Sequence, residues 1–226
     1  MPIARKKIVV LTLKKYLAPQ VKLFLRERYN CTFIERPTKD YPIEKVNLIL
    51  FCGGPDVNPF IYNESVSNFT KINNIRDLRE MYIFNKYSKH NIPKLGICRG
   101  AQLCCVLSDG KLIQHVTGHN HTHSVTTKEG DKFKVTSTHH QMMKPFNLNS
   151  KDYEIIARST KKESFNYYNG NNQSIKFGKD FVEPEIVYFN KTKSLAIQGH
   201  PERKHATKLF KEYSYELIDK LLLNEL

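Results

Sequence analysis

Three short stretches of this chain carry residue types that could do chemistry together. The first is Gly96-Ile97-Cys98-Arg99-Gly100, a cysteine between glycines. It follows an apolar run and precedes the helical pattern Ala101 to Leu107, so it reads as a strand-turn-helix elbow that presents a nucleophile outward. Unpaired N–H groups at a helix N-terminus favour thiolate over thiol, which makes Cys98 the reactive candidate. The second stretch, Ser194 to Glu202, runs from an apolar strand into Gly199-His200-Pro201-Glu202. A thiol nucleophile needs a base, and an imidazole needs a group that fixes its orientation; His200 and Glu202 fit those roles. The third is Phe51-Cys52-Gly53-Gly54-Pro55-Asp56, a glycine pair at the end of a predicted strand. There the Gly54 N–H, with the Arg99 N–H, could stabilise an oxyanion, although the segment also reads as a plain turn. Together the three stretches point to acyl transfer through a thioester.

The elements that must position these groups follow from periodicity. Residues 7–13, 46–52 and 92–97 are short apolar runs ending in turn residues, as buried parallel strands do. Helical patterns separate them: Pro19 to Tyr29, with Val21, Leu23, Phe24 and Leu25, and Ile75 to His90, with Leu78, Met81, Tyr82, Phe84 and Tyr87. This alternation predicts βαβ units with right-handed crossovers. Between about 110 and 190 the pattern changes to short strand candidates at 133–137, 153–157 and 186–189, predicted to be antiparallel. A closing helix over 205–226 would cover the sheet with Leu209, Phe210, Tyr213, Leu217, Ile218 and Leu221. No internal repeat or linker tract is seen, and a single domain over residues 1–226 is expected.

Composition narrows the classes. The chain is 40% hydrophobic and 26% charged, ordinary for a globular protein. The apolar run Ile8 to Leu13 is shorter than a signal-peptide core, and no stretch approaches a membrane span, so a cytoplasmic protein without membrane contact is expected. Five cysteines without CxxC spacing predict reduced thiols. Cys104 and Cys105 read as packing residues on the helix after the elbow, Cys52 as core, and Cys31 as opening a strand. The net charge of +14 raises nucleic acid as a partner, but the basic residues are dispersed, which favours a solvated surface.

The ordered motifs GGPDVNPFIY (53–62), RDLRE (76–80), IPKLGICRGAQ (92–102), GKLIQH (110–115), STHHQ (137–141) and GHPE (199–202) resemble the class I glutamine amidotransferases, within them the γ-glutamyl-γ-aminobutyrate hydrolase-like (peptidase C26) branch. The resemblance implies a flavodoxin-like α/β fold, a mostly parallel sheet flanked by helices with a small antiparallel insertion. It implies a Cys98-His200-Glu202 triad, and Gly53, Gln102, His139 and His140 as substrate-binding residues. Arg99 stands where related proteases and chaperone-like proteins carry His after the nucleophile, which favours γ-glutamyl chemistry. The chain departs from the family at Gly199, often aromatic there, and at Asp109-Gly110, usually Gly-Gly. The implied substrate is a γ-glutamyl amide, or glutamine if ammonia is delivered to a separate synthetase; a homodimer is left open. A third reading is a basic nucleic acid-binding protein that keeps the fold without catalysis.

His115, His119, His121 and His123 crowd one predicted loop and, with His139 and His140, raise a zinc site. No cysteine or carboxylate set accompanies them at structural-zinc spacing, and a hydrolytic metal would be redundant beside a cysteine. No metal and no cofactor is therefore expected.

Overall fold

The computed structural model of the chain describes residues 5–38 and 41–224. In chain order its strands are β1 (Lys7–Leu11), β2 (Asn30–Ile34), β3 (Leu48–Phe51), β4 (Lys94–Ile97), β5 (Lys111–Ile113), β6 (His115–Val116), β7 (His123–Thr127), β8 (Lys132–Val135), β9 (Met142–Lys144), β10 (Tyr153–Ser159), β11 (Tyr167–Tyr168), β12 (Ser174–Ile175), β13 (Pro184–Phe189) and β14 (Ser194–Ile197). The α-helices are α1 (Pro19–Arg28), α2 (Asn74–Ser88), α3 (Arg99–Leu107) and α4 (Lys208–Leu222). Nine strands form one sheet in the order β2-β1-β3-β4-β14-β13-β10-β7-β8. β2, β1, β3, β4 and β14 are parallel, and β13, β10, β7 and β8 extend the same sheet antiparallel. Two small antiparallel sheets, β12-β11-β6 and β5-β9, sit apart from it. The fold is thus α/β, a mostly parallel sheet flanked by helices and extended by antiparallel strands.

Alternation along the central strands creates two cores. Leu48 and Leu50 of β3 pack with Val21, Phe24 and Leu25 of α1 and Phe210 and Ile218 of α4. Ile49 and Phe51, their neighbours in sequence, pack on the other face with Ile83, Phe84 and Tyr87 of α2 and Ala101 and Leu103 of α3. A period of two thus serves helices on both faces, which is why these strands read as continuous apolar runs. No helix among the described residues is long and apolar enough to cross a membrane.

The helix faces differ from expectation in particular places. Leu23, Leu78, Tyr82 and Leu209 are exposed, whereas Arg76, Asp77 and Glu80 of α2 are almost fully buried. The histidine segment is not one loop: His115 opens β6 and His123 opens β7. The end of the predicted closing helix, residues 225–226, lies outside the described residues.

Candidate active site

Register places the three stretches at one edge. β3 and β4 pair with Phe51 opposite Gly96, and β4 and β14 pair with Ile97 opposite Ile197. The residues just beyond are Gly53 and Gly54, Cys98, and Gly199 to Glu202, all at the carboxyl ends of adjacent parallel strands, where open α/β sheets build their sites.

Cys98 has φ 54° and ψ −112°, a left-handed conformation that costs a non-glycine residue on the order of 1–3 kcal/mol. Its N–H donates to Ile197 O at 2.8 Å, and its carbonyl accepts from the Ala101 and Gln102 N–H groups at 2.9 and 3.1 Å. The elbow is therefore held from both sides. The flanking glycines are sterically required: a Cβ on Gly100 would lie 2.1 Å from Phe51 O, and one on Gly96 would lie 2.4 Å from Gly100 O. Gly100→Ala is expected to cost at least about 1–3 kcal/mol, read as a lower urea midpoint.

His200 and Cys98 both border Gly53: a Cβ there would meet His200 Cε1 at 3.4 Å, Cys98 Cβ at 3.6 Å and Cys98 Sγ at 4.0 Å. His200 Nδ1–H donates to Glu202 Oε1 at 2.7 Å, with both side chains nearly buried. Burial alone would lower the His200 pKa, but hydrogen bonds with Cys98 and Glu202 prevail and raise it to about 9. The folded value lies above the unfolded one of about 6.5, so this stabilisation is complete below about pH 6.5 and is lost as pH rises through about 9. Urea unfolding between about pH 6 and pH 9.5 is expected to show that decline in the wild type and a shallower one in His200→Gln. Burial pushes the other thiols up, Cys31 to about 11 and Cys52 and Cys104 to about 12. Cys105 rises as well. None of those four is poised to act as a thiolate near neutral pH.

The glycine turn is fixed by Arg76, whose guanidinium donates to Cys52 O at 2.7 Å and Gly53 O at 3.0 Å. Because a trans peptide opposes its C=O and N–H, anchoring Gly53 O turns the Gly54 N–H away from Arg76. Gly54 has φ 152°, and a Cβ on it would lie 2.0 Å from Arg76 Nη1. Neither the Gly54 nor the Arg99 N–H is taken up by a backbone carbonyl among the described residues. The Arg99 side chain points inward and pairs with Asp77 and Glu80, and Arg76 Nε donates to Glu80 at 3.1 Å. This buried network was not foreseen, although RDLRE supplied three of its four members.

A cavity of about 190 Å³ opens at Cys98, bordered by Gly54, Asp56, Lys71, Arg99, Gln102, His139, His140 and Gln141. Gln102 Nε2–H donates to Gln141 O at 3.0 Å, and His140 Nε2 lies 3.1 Å from Asp56 Oδ1. His139 borders the cavity, but its Nδ1–H donates to Gln141 O at 2.8 Å and its Nε2 faces Glu185. Asp56, Lys71 and Gln141 were missed as cavity residues; Asp56 and Gln141 lay within quoted motifs. A larger cavity, about 850 Å³, lies beside α2 between Tyr16, Arg36 and Tyr82, with no cysteine or histidine among the residues lining it.

The sequence model of the peptidase C26 family matches residues 35–175, more than half of the chain. The chain belongs to the peptidase C26 family. This match spans the glycine turn and the elbow, while His200 and Glu202 lie beyond it. The glutamine amidotransferase-like protein YvdE of Lactococcus lactis is 28% identical over 196 residues, 76% of this chain and 73% of YvdE. Among solved structures, a glutamine amidotransferase from Thermotoga maritima superposes with a TM-score of 0.56 at 15% identity, over 97% of this chain and 89% of that one. A chain of PurLQS from Thermotoga maritima gives 0.62 at 12% identity, over 96% and 99%. This C26 member is thus a glutamine amidotransferase-like hydrolase at family level.

Proposed function

We propose that the whole chain works as one cysteine-dependent hydrolase of γ-glutamyl amides, with Cys98, His200 and Glu202 as its catalytic triad. The observation that carries this reading is the strained Cys98 elbow, with His200 bordering the same glycine as the Cys98 thiol and donating from Nδ1–H to Glu202. The Cys98 thiolate attacks the γ-carbonyl carbon and forms a C–S bond, and the carbonyl electron pair moves onto oxygen. The Gly54 and Arg99 N–H groups stabilise that oxyanion; removing one such donor typically costs on the order of 3 kcal/mol. Protonated His200 gives its proton to the leaving amine as the C–N bond breaks. It then takes a proton from water, which attacks the glutamyl thioester and releases glutamate and the thiolate. Glu202 holds the imidazole through Nδ1–H. At the cavity rim, the Asp56 carboxylate and the Lys71 ammonium offer one charge of each sign to the glutamyl α-ammonium and α-carboxylate.

The shared fold with a chain of PurLQS keeps a second reading in the test, in which glutamine is the substrate and ammonia passes to a separate synthetase. A panel of γ-glutamyl amides and free glutamine, assayed for glutamate release, separates the two. Turnover of substituted amides by the protein alone supports the hydrolase. Turnover of glutamine alone, dependent on an added cell extract, supports the subunit reading. Absence of glutamate release under either condition contradicts both.

A further inference from the structure

Three buried histidines converge on one carboxylate behind the cavity wall. His123 Nε2 lies 2.9 Å, His119 Nδ1 3.1 Å and His139 Nε2 3.8 Å from Glu185 Oε1. All four side chains are at most 4% exposed. The outward nitrogen of each ring is already committed as a donor. His119 Nε2–H donates to Glu183 Oε2 at 3.2 Å, His123 Nδ1–H to His121 O at 3.2 Å, and His139 Nδ1–H to Gln141 O at 2.8 Å. In neutral rings, all three inward nitrogens therefore present lone pairs to each other and to the Glu185 carboxylate. His119 Nδ1, His139 Nε2 and Glu185 Oε2 have no hydrogen-bond partner despite full burial, a costly arrangement for polar atoms.

The geometry points to a divalent transition-metal site, of zinc type, formed by His119 Nδ1, His123 Nε2 and the Glu185 carboxylate, whose ligand atoms all lie within 4.8 Å of one another, with His139 Nε2 beside them. Ligand atoms bound to zinc at 2.0–2.1 Å in a tetrahedron stand roughly 3.4 Å apart, and the separations from Glu185 Oε1 bracket that value. Imidazole nitrogens with one carboxylate oxygen are the donor set that such ions select. Metal-bound imidazoles generally donate their other N–H to a carboxylate or backbone carbonyl, and all three rings do so here. Glu183 is itself fixed by the Glu163 and Ser164 N–H groups and the Tyr167 hydroxyl, at 2.7, 3.0 and 2.7 Å. The site is fully buried, hence structural: it ties the segment before β7 and the start of β7 to β13, with the 137–141 loop held against it through His139. Gln141 O, which also accepts from Gln102, carries that fixation to the cavity wall. The site stands whatever amide Cys98 cleaves. Glu183 and Glu185 lie 64 and 62 residues from His119 and His123 in sequence, so spacing along the chain does not reveal them and the fold alone brings them together.

The test uses full-length protein freed of any affinity tag. Elemental analysis after expression with zinc is expected to find one zinc per chain. Chelator-stripped protein titrated with cobalt(II) is expected to show the intense visible absorption of a tetrahedral site. Glu185→Gln and His123→Ala should abolish that band, and Glu183→Gln should weaken affinity about 10–100-fold. His121→Ala, which leaves the His121 carbonyl in place, should retain it. Should the ligand variants fail to fold, the wild-type arms decide. Stripped wild-type protein that gives no tetrahedral cobalt band, and whose unfolding temperature does not rise with zinc, overturns the proposal. The carboxylates are then balanced by protonated imidazoles instead.

Discussion

Cys98→Ala protein is expected to fold and to release no glutamate from γ-glutamyl amides, with kcat/KM reduced by at least about 10⁴-fold. The fold should survive because the elbow is held by main-chain groups, the Cys98 N–H on Ile197 O and the Cys98 carbonyl on Ala101 and Gln102, none of which involves the thiol. Alanine also occupies less space than cysteine beside Gly53 and His200. What disappears is the atom that forms the thioester, and the four remaining cysteines cannot replace it, since burial keeps each of them protonated. A melting curve within a few degrees of wild type, measured on the same preparation, separates chemical from structural loss. Full activity in this variant contradicts the mechanism.

Arg99→Leu is expected to destabilise the protein by about 3–5 kcal/mol, because it removes one partner of a buried ion network and leaves the others unpaired. Arg99, Asp77 and Glu80 are each at most 2% exposed, and the Arg99 guanidinium bridges the two carboxylates. Without it Glu80 keeps Arg76, but the Asp77 carboxylate keeps only the Asn58 N–H at 3.2 Å among its described hydrogen bonds. Burial raises the Asp77 pKa above its ordinary value even with Arg99 alongside. Losing Arg99 raises it further, so the folded variant binds a proton that the unfolded chain does not, and the deficit should shrink as pH is lowered. Urea unfolding near pH 7 and near pH 5 tests both parts. The double variant Arg99→Leu/Asp77→Asn should be less destabilised than the two single effects added together. Since Arg76 fixes the glycine turn and Arg99 begins α3, the network joins the two proposed oxyanion donors to one rigid base.

These charges also explain what could and could not be read from the chain. The elbow was legible because its requirements are local: a short strand, glycines two positions either side of Cys98, and a helix start. The His-Pro-Glu turn was visible as a local pattern, but its place beside Cys98 depends on β14 lying parallel to β4, which the three apolar runs separated by helices do not dictate. The face of α2 was misread. Leu78 and Tyr82 imitate an amphipathic stripe yet are exposed, while Arg76, Asp77 and Glu80 turn inward because the elbow and the glycine turn need ionic partners beneath them. Hydrophobic periodicity does not register a helix face that buries charge. The histidines were noticed but not resolved. His115 stacks on Phe69 at 4.2 Å and meets His140 at 3.1 Å, whereas His119, His123 and His139 meet Glu185, a partition that depends on β13 lying beside β10 and β14. The short strands β5, β6, β9, β11 and β12 carry too few residues for a period of two to stand out.

The most direct measurement is mass spectrometry after treatment with a glutamine analogue carrying a chloroketone at the γ-position. A single adduct on the peptide containing Cys98 is expected, formed more slowly in His200→Gln and blocked by excess γ-glutamyl substrate. An adduct on another cysteine, or a Cys98 that stays unlabelled while the protein is folded, contradicts the mechanism.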